Sequence, residues 1–422
     1  MSAGHLPSSR VRTSDDVAVF VDAAVRYGTP GIIGAELELF CVDQARPQVR
    51  PDLDGVAVLL AAAGPLPGGS LITGEPGGQV ELSSAPAAGV DPAVTGLAAD
   101  LAVVRRVLDA EGLSLRGLGA DPLRPPVRLL HTPRYDCMET YFADCGEPSA
   151  SAGPAMMCST AAVQVSVDAG TRDGGVQSAA ARWQRAHAIG PAMVAAFACS
   201  PLLAGSPTGW RSTRQRIWGE LDPTRTRPPA PHLGPVEALT ELALSARLMT
   251  VRDADGVCRP APPGSTFAGW MADGTPTVDD LDYHLTTLFP PVRLRGWLEL
   301  RYLDMLPDPL WQVAVATAAV LLDDDRAADA AREACEPVEG RWRDAALHAV
   351  ADPELQRAAA SCLSAAAEGL SGSGSAALAS AVTAFAARWT DRGRCPADDL
   401  LDQYASGASA EALLLGAVEV AA

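Results

Sequence analysis

GIIGAELELFCV, residues 31–42, decides how the chain is read: Ile33, Ala35, Leu37 and Leu39 alternate with Gly34, Glu36, Glu38 and Phe40. A period of two marks a strand with one greasy face, so the run predicts a β-strand whose other face carries two carboxylates pointing the same way. Three further runs repeat the pattern. In QVELS, residues 79–83, Gln79, Glu81 and Ser83 oppose Val80 and Leu82, directly after a Glu75-Pro76-Gly77-Gly78 turn. Residues 157–168 set Thr160, Gln164 and Ser166 against Val163, Val165 and Val167, and residues 296–302 put Trp297, Glu299 and Arg301 on one face. Hard oxygen donors of this kind suit Mg2+ or Mn2+, whereas no thiolate or imidazole set for zinc is evident. The wet side of a half-exposed antiparallel sheet would carry the same residue types, and the sequence leaves open whether the four faces meet.

The chain has 422 residues, enough for one large unit or two smaller ones with a substantial core. Its net charge of −18 opposes non-specific binding to nucleic acid. All 33 lysine-plus-arginine positions are arginine, so neither a Walker lysine nor a Schiff-base lysine is present. Phosphate or carboxylate must then be held by arginine, backbone amides or metal. No G-x-G-x-x-G follows a strand, which removes the Rossmann reading. The N-terminal MSAGHLPSSRVRTSDD lacks an apolar core of signal-peptide length, and the longest apolar run, Val313 to Leu322, is too short to span a bilayer. A cytoplasmic protein without a membrane partner is expected. The nine cysteines are scattered and lack a Cys-x-x-Cys pair, which indicates reduced thiols; Cys158 is read as an ordinary buried one.

Along the chain, a helix is expected from Ser14 as N-cap, then the first acidic strand, a helix and a Pro/Gly-rich passage before the second. Residues 91–111 read as helix, 115–120 as a strand, 134–145 and 175–199 as helices flanking the Gln164 strand, and 210–219 as a shorter helix. Residues 222–235 read as an irregular loop or lid, and alanine-rich helices dominate beyond Asp308. Strands scattered among long helices predict an α+β class with a mainly antiparallel sheet. One catalytic domain is expected over 1–422, with its core at about 14–345 and a helical part at about 346–422.

The ordered runs GIIGAELELF, EPGGQVELSSAP, RYDCMETYF, MMCSTAAVQVSVD, SPLLAGSPTGWRSTRQRIW, YHLTTLFPPVR and GWLELRYLDMLP, from about residue 30 to about 345, resemble the glutamate-cysteine ligase family. The likeness is strongest to its plant-like and actinobacterial branch, including the enzyme that opens ergothioneine biosynthesis. It implies a glutamine-synthetase-like core in which a curved, mainly antiparallel sheet forms a funnel flanked by helices. It also implies an ATP-dependent ligase: the γ-carboxylate of L-glutamate takes the γ-phosphoryl group of ATP, and the amine of L-cysteine displaces phosphate to give γ-glutamylcysteine. Divalent cations, Mg2+ or Mn2+, would neutralise the phosphates.

The resemblance implies metal ligation by Glu36, Glu38, Glu75, Glu81 and Glu299. Gln164 stands where some branches carry a histidine ligand. Arg301 would contact the nucleotide phosphate and the transferring phosphoryl group. Arg134 and Arg214 would hold the α-carboxylate of glutamate, with Tyr135 and Trp218 as pocket walls. His284 lies within a matching run and is read as structural. Ser206 and Trp297 depart from the pattern, where a basic and a smaller residue are expected. Two other readings remain: a ligase of the same superfamily with a different acceptor amine, and a non-catalytic nucleotide- and metal-binding relative.

Overall fold

Alternation at the start of the chain does produce a strand. β1 runs Ile32–Asp43, with Ile33, Ala35, Leu37 and Leu39 at most 3% exposed. The computed structural model describes residues 9–253, 255–272, 274 and 276–416, so residues 1–8 of the N-terminal stretch and 417–422 of the helical part lie outside the described residues. β1 is the hub of an eight-stranded sheet in which every pairing is antiparallel. The other strands are β2 (Leu71–Gly74), β3 (Gln79–Ser83), β4 (Ala87–Ala88), β5 (Leu113–Arg116), β6 (Ala162–Asp168), β7 (Val292–Leu294) and β8 (Trp297–Asp304). The main path is β7-β8-β6-β1-β3-β2, and β4 and β5 pair with the two ends of β1.

The apolar face of this sheet packs on helices Val90–Asp109 and Leu310–Asp323, whose inward residues include Leu97, Leu101, Val104, Val315 and Leu322. That core is one continuous cluster from Val11 to Leu414, so the alanine-rich C-terminal helices share it with the sheet. Small residues make close helix packing possible: a Cβ on Gly190 would lie 1.9 Å from the Trp342 ring, so the indole occupies the space a side chain would need. A second, smaller apolar cluster joins helices Pro133–Asp144, Ser149–Ser159 and Thr213–Glu220 through Met138, Phe142, Met157 and Ile217, with Phe289. Among the described residues no helix is long and apolar enough to cross a membrane.

Several boundaries differ from the sequence reading, each for a local reason. Thr13, rather than Ser14, caps the first helix, because its side chain and that of Asp16 close a capping box. Residues 157–159 belong to helix Ser149–Ser159, so the Gln164 strand starts only at Ala162. The helix expected over 175–199 is two, Ala179–Ala188 and Gly190–Ala196, with Pro191 in the first turn of the second. The strand expected over 115–120 is Leu113–Arg116, and the 222–235 loop contains a short helix, Pro223–Thr226.

The Glu75 turn closes with Gly78 N–H donating to the Glu75 carbonyl at 2.9 Å. It is wedged against the end of helix Ser149–Ser159: a Cβ on Gly77 would meet the Cys158 carbonyl oxygen at 2.4 Å. Arg50, 7% exposed at its side chain, clamps the same turn by donating to the Gly77 carbonyl at 3.1 Å while pairing with Asp121 at 3.5 Å. Gly77→Ala must therefore push backbone apart and is expected to lose about 1–3 kcal/mol in a denaturant melt. Gly74→Ala, where nothing lies within 4 Å, serves as the tolerated control.

Candidate active site

The sheet order answers whether the polar faces meet. β8, β6, β1 and β3 are consecutive neighbours, and antiparallel pairing sets directly opposed residues on one face. Glu38 faces Glu81, Glu36 faces Gln164, and Glu299 faces Ser166, which itself faces Gly34. Glu75 joins them from the turn before β3, near enough for the charges of Glu38 and Glu81 to raise its proton affinity. All six expected metal positions therefore border one polar surface.

Their electrostatics divide them. Burial is the first cause of a raised pKa at Glu36, Glu38 and Glu75. Glu299 and Glu81 add to it at Glu36, Glu38 and Glu81 add to it at Glu75, and at Glu38 Arg214 opposes what Glu81 adds. Glu36 and Glu38 are pushed up to about 7 and Glu75 to about 8. Glu299 is buried as well, but Arg301 and Arg293 outweigh that burial and hold it down at about 2. Arg293 grips both Glu299 oxygens, at 2.6 and 2.9 Å, and Arg301 Nη1 donates to the same carboxylate at 2.9 Å. Arg301 Nη1 also donates to the Gln164 amide oxygen at 2.6 Å, and Gln164 Nε2 donates to Glu38 at 2.9 Å. Gln164 is thus a bridge between the arginine and the first acidic strand.

Among the described residues no three His, Cys, Asp or Glu side chains are gathered closely enough to hold an ion as they stand. The donor set nevertheless fits a hard divalent cation. Carboxylates that raise one another's proton affinity are relieved by positive charge, and Glu36 and Glu75 make no side-chain hydrogen bond among the described residues.

Beside the glutamates lies a group of donors without acceptors. Arg214, 2% exposed, donates through Nη2 to the Arg301 carbonyl at 2.7 Å, yet its Nε and Nη1 are buried with no partner. It is fixed from below: Asp304 accepts from Ser200 Oγ at 2.7 Å and Ser212 Oγ at 2.8 Å, and Ser200 Oγ in turn accepts from the Arg214 N–H at 3.1 Å. Arg301 Nε and Trp218 Nε1 are likewise buried without a hydrogen-bond partner, and Arg216 Nε has only Glu220, at 3.9 Å. Trp218 carries both Arg214 and Arg301 over its ring, at 5.5 and 5.8 Å, and meets Phe289 edge-on. A cavity of about 400 Å3 opens here between Trp210, Trp218, Trp342, Arg216, Arg301 and Arg343. Orphaned N–H groups in such number call for an oxygen-rich anion.

Tyr135 sits at the other end of the acidic face; burial first, then Glu75, pushes its phenol up to about 12. Arg134 points elsewhere, donating to the Thr286 side chain and carbonyl at 3.0 Å each and lying 5.3 Å over Tyr283. It makes no ion pair with a glutamate of the face among the described residues. His284 is fully structural: buried, stacked on Phe267 and bonded to the Ala243 carbonyl at 2.9 Å, with burial lowering its pKa to about 4. Ser206 lies in a short, exposed hairpin strand opposite Leu203 and Trp297 packs under Arg26, so neither departure touches the glutamates. The sequence reading missed Arg293, although the Arg295-Gly296 turn between β7 and β8 fixes the register that sets it opposite Glu299. It also missed Arg216, Trp342 and Arg343, for which no local pattern gives a signal.

The model of the family described as Glutamate-cysteine ligase family 2 (GCS2) matches residues 32–415. The glutamate–cysteine ligase EgtA of Mycolicibacterium smegmatis is 44% identical over 411 residues, covering 95% of this chain and 94% of that protein. The EgtA of Mycobacterium tuberculosis is 44% identical over 401 residues, 93% of this chain and 90% of that protein. The chloroplastic glutamate–cysteine ligase of Brassica juncea is 31% identical over 270 residues, covering 60% of this chain and 49% of that protein. Among solved structures, the glutamate–cysteine ligase of Francisella tularensis in complex with AMP aligns with a TM-score of 0.54 at 11% identity over 92% of this chain and 87% of that one, a likeness of fold.

The raised carboxylates give a pH dependence with a definite sign. Above about pH 6.5, an unfolded glutamate has already lost its proton, whereas Glu36, Glu38 and Glu75 in the folded chain titrate at about 7, 7 and 8. The folded state then binds more protons than the unfolded one, so stability falls as pH rises through this window. Cation-free protein is expected to melt at a lower temperature at pH 8.5 than at pH 6.5, with added Mg2+ or Mn2+ narrowing the gap. A flat profile in calorimetry would remove the crowding.

Proposed function

The chain belongs to the glutamate-cysteine ligase family, and from that premise we propose that it couples the γ-carboxylate of L-glutamate to the amine of L-cysteine with ATP, yielding γ-glutamylcysteine, ADP and phosphate. The reaction is the one expected at the first step of ergothioneine biosynthesis. One observation carries the reading: a face of crowded glutamates lies directly beside buried arginine and indole N–H groups that have no acceptor. Cations and anions are wanted next to each other, which is what phosphoryl transfer between ATP and a carboxylate demands.

Glu36, Glu38, Glu75 and Glu81, with Glu299 and Gln164 at the margin, are the residues that would hold Mg2+ or Mn2+. When bound, the cations would neutralise charge on the phosphates and on the attacking carboxylate. Arg301 donates to the transferring phosphoryl group; Glu299, itself gripped by Arg293, accepts from its guanidinium and holds it in place. The cavity between Trp210, Trp218 and Trp342 takes the nucleotide, with Arg216 and Arg343 at its phosphates and the indoles against its base. Arg214 offers Nε and Nη1 as a fork to the α-carboxylate of glutamate. Arg134 and Tyr135 close the opposite side of the substrate space, Arg134 through its hold on Thr286. The γ-carboxylate takes the phosphoryl group, the γ-glutamyl phosphate so formed is attacked by the amine of cysteine, and phosphate leaves. Every residue named for this site lies within 14–345, Trp342 and Arg343 at its end, and the apolar core shared with the C-terminal helices supports reading the chain as one catalytic unit.

ADP release with Mg-ATP and glutamate, measured with and without cysteine and with a panel of other amines, tests the reading directly. Cysteine-dependent release with the mass of γ-glutamylcysteine is expected; consumption of another amine would reassign the acceptor, and no turnover would leave a binding protein. Glu36→Gln removes a ligand charge without a packing group and is expected to lower kcat roughly a hundredfold or more. Arg214→Lys replaces a fork by a point charge and is expected to raise the KM for glutamate about tenfold, with a smaller change for ATP.

A further inference from the structure

A second cleft, of about 450 Å3, opens at the free edge of β5 and shares no lining residue with the acidic face or the aromatic cavity. β5 pairs only with β1, Arg116 opposite Phe40 and Ser114 opposite Val42, and both side chains line the cleft. Ser114 is 5% exposed and its hydroxyl has no hydrogen-bond partner. Arg116 forms no ion pair or side-chain hydrogen bond among the described residues, and its Nε is buried without an acceptor. Asp109 supports the charged form of Arg116 against burial, from beyond ion-pair distance. Asp308 is taken by Arg105 and by the Trp311 indole N–H, and Asp109 stands exposed on the rim. Arg105 and Arg116 crowd each other as well as being buried, which lowers the affinity of Arg105 for its proton.

A half-buried guanidinium whose Nε has no acceptor and a buried, unpaired hydroxyl, two residues apart on β5, both belong to residues that border the same cavity. A rim carboxylate across from them supplies the opposite charge. That pairing of a fork with an acid matches the two ends of an α-amino acid, and the volume suits a single amino acid or a dipeptide. We propose that this cleft binds a small zwitterion, an amino acid or short peptide, with its carboxylate on Arg116 and Ser114 and its ammonium toward Asp109. The bound molecule would brace β5 against β1 two residues beyond Glu38, and so bear on the strand that carries Glu36 and Glu38.

The test is calorimetric titration, without ATP, of the common L-amino acids and γ-glutamylcysteine into the wild-type chain, Arg116→Gln and Arg214→Gln. Circular dichroism checks that each variant is folded. At least one compound is expected to give a binding event that survives Arg214→Gln and is weakened tenfold or more by Arg116→Gln, with Arg116→Lys intermediate. If Arg214→Gln does not fold, the same comparison reads as two events per wild-type chain and one in Arg116→Gln. The absence of any Arg116-dependent event across the panel overturns the proposal. No turnover enters the readout, so the cleft stands or falls independently of the ligase reading.

Discussion

Carboxylates gathered on one face of one sheet cannot all remain ionised unless positive charge is brought to them, and the rest of this structure is arranged around that constraint. Two solutions coexist on this one sheet. At Glu299 the protein supplies the charge itself, with Arg293 and Arg301 closing on both oxygens. At Glu36, Glu38 and Glu75 it supplies too little, and burial together with repulsion from neighbouring carboxylates pushes them up to about 7, 7 and 8. A structural ion-pair network would have been satisfied throughout. The deficit on one side and the surplus of unpaired N–H donors on the other make the surface receptive to cation and anion together.

Holding that unfavourable arrangement requires a stiff support. The opposite side of β1 is wholly apolar and packed on helices, and the polar side is fixed by buried arginines that serve structure rather than chemistry. Arg50 ties down the Gly77 carbonyl, and Arg124 links Asp121 to the Cys41 carbonyl at 2.7 and 2.9 Å. Arginine reaches such carbonyls with several donors at once, and in a chain without lysine it takes both the scaffold and the ligand-facing roles.

The acidic face was legible in the sequence because a strand's period of two is local: Glu36 and Glu38, or Glu299 and Arg301, report their shared direction without help from distant residues. Their meeting was not legible, since the order β8-β6-β1-β3 joins segments far apart in the chain. Local breaks were read imperfectly where a proline or a capping side chain decides, as at Pro191 and Thr13. The partners of Arg134, Thr286 and Tyr283, lie about 150 residues away and had no local signal either. The cleft at Arg116 and Ser114 had no sequence signal at all, because an unpaired donor is defined by what fails to surround it.

The sheet's order also bears on how the molecule comes to exist. Glu36, Glu38, Glu75 and Glu81 leave the ribosome early, yet Arg214 follows more than a hundred residues later and Arg293 and Arg301 later still. Until then the central strands carry their repulsion unrelieved, and β6 lacks the partner it takes from β8. Such a topology, with strand pairings between residues well over a hundred positions apart, folds slowly and late. Neutralisation of the acidic strands and completion of the sheet are then a single event, so a nascent chain cut short before β8 would present an acidic, open-edged sheet with no means of closing it.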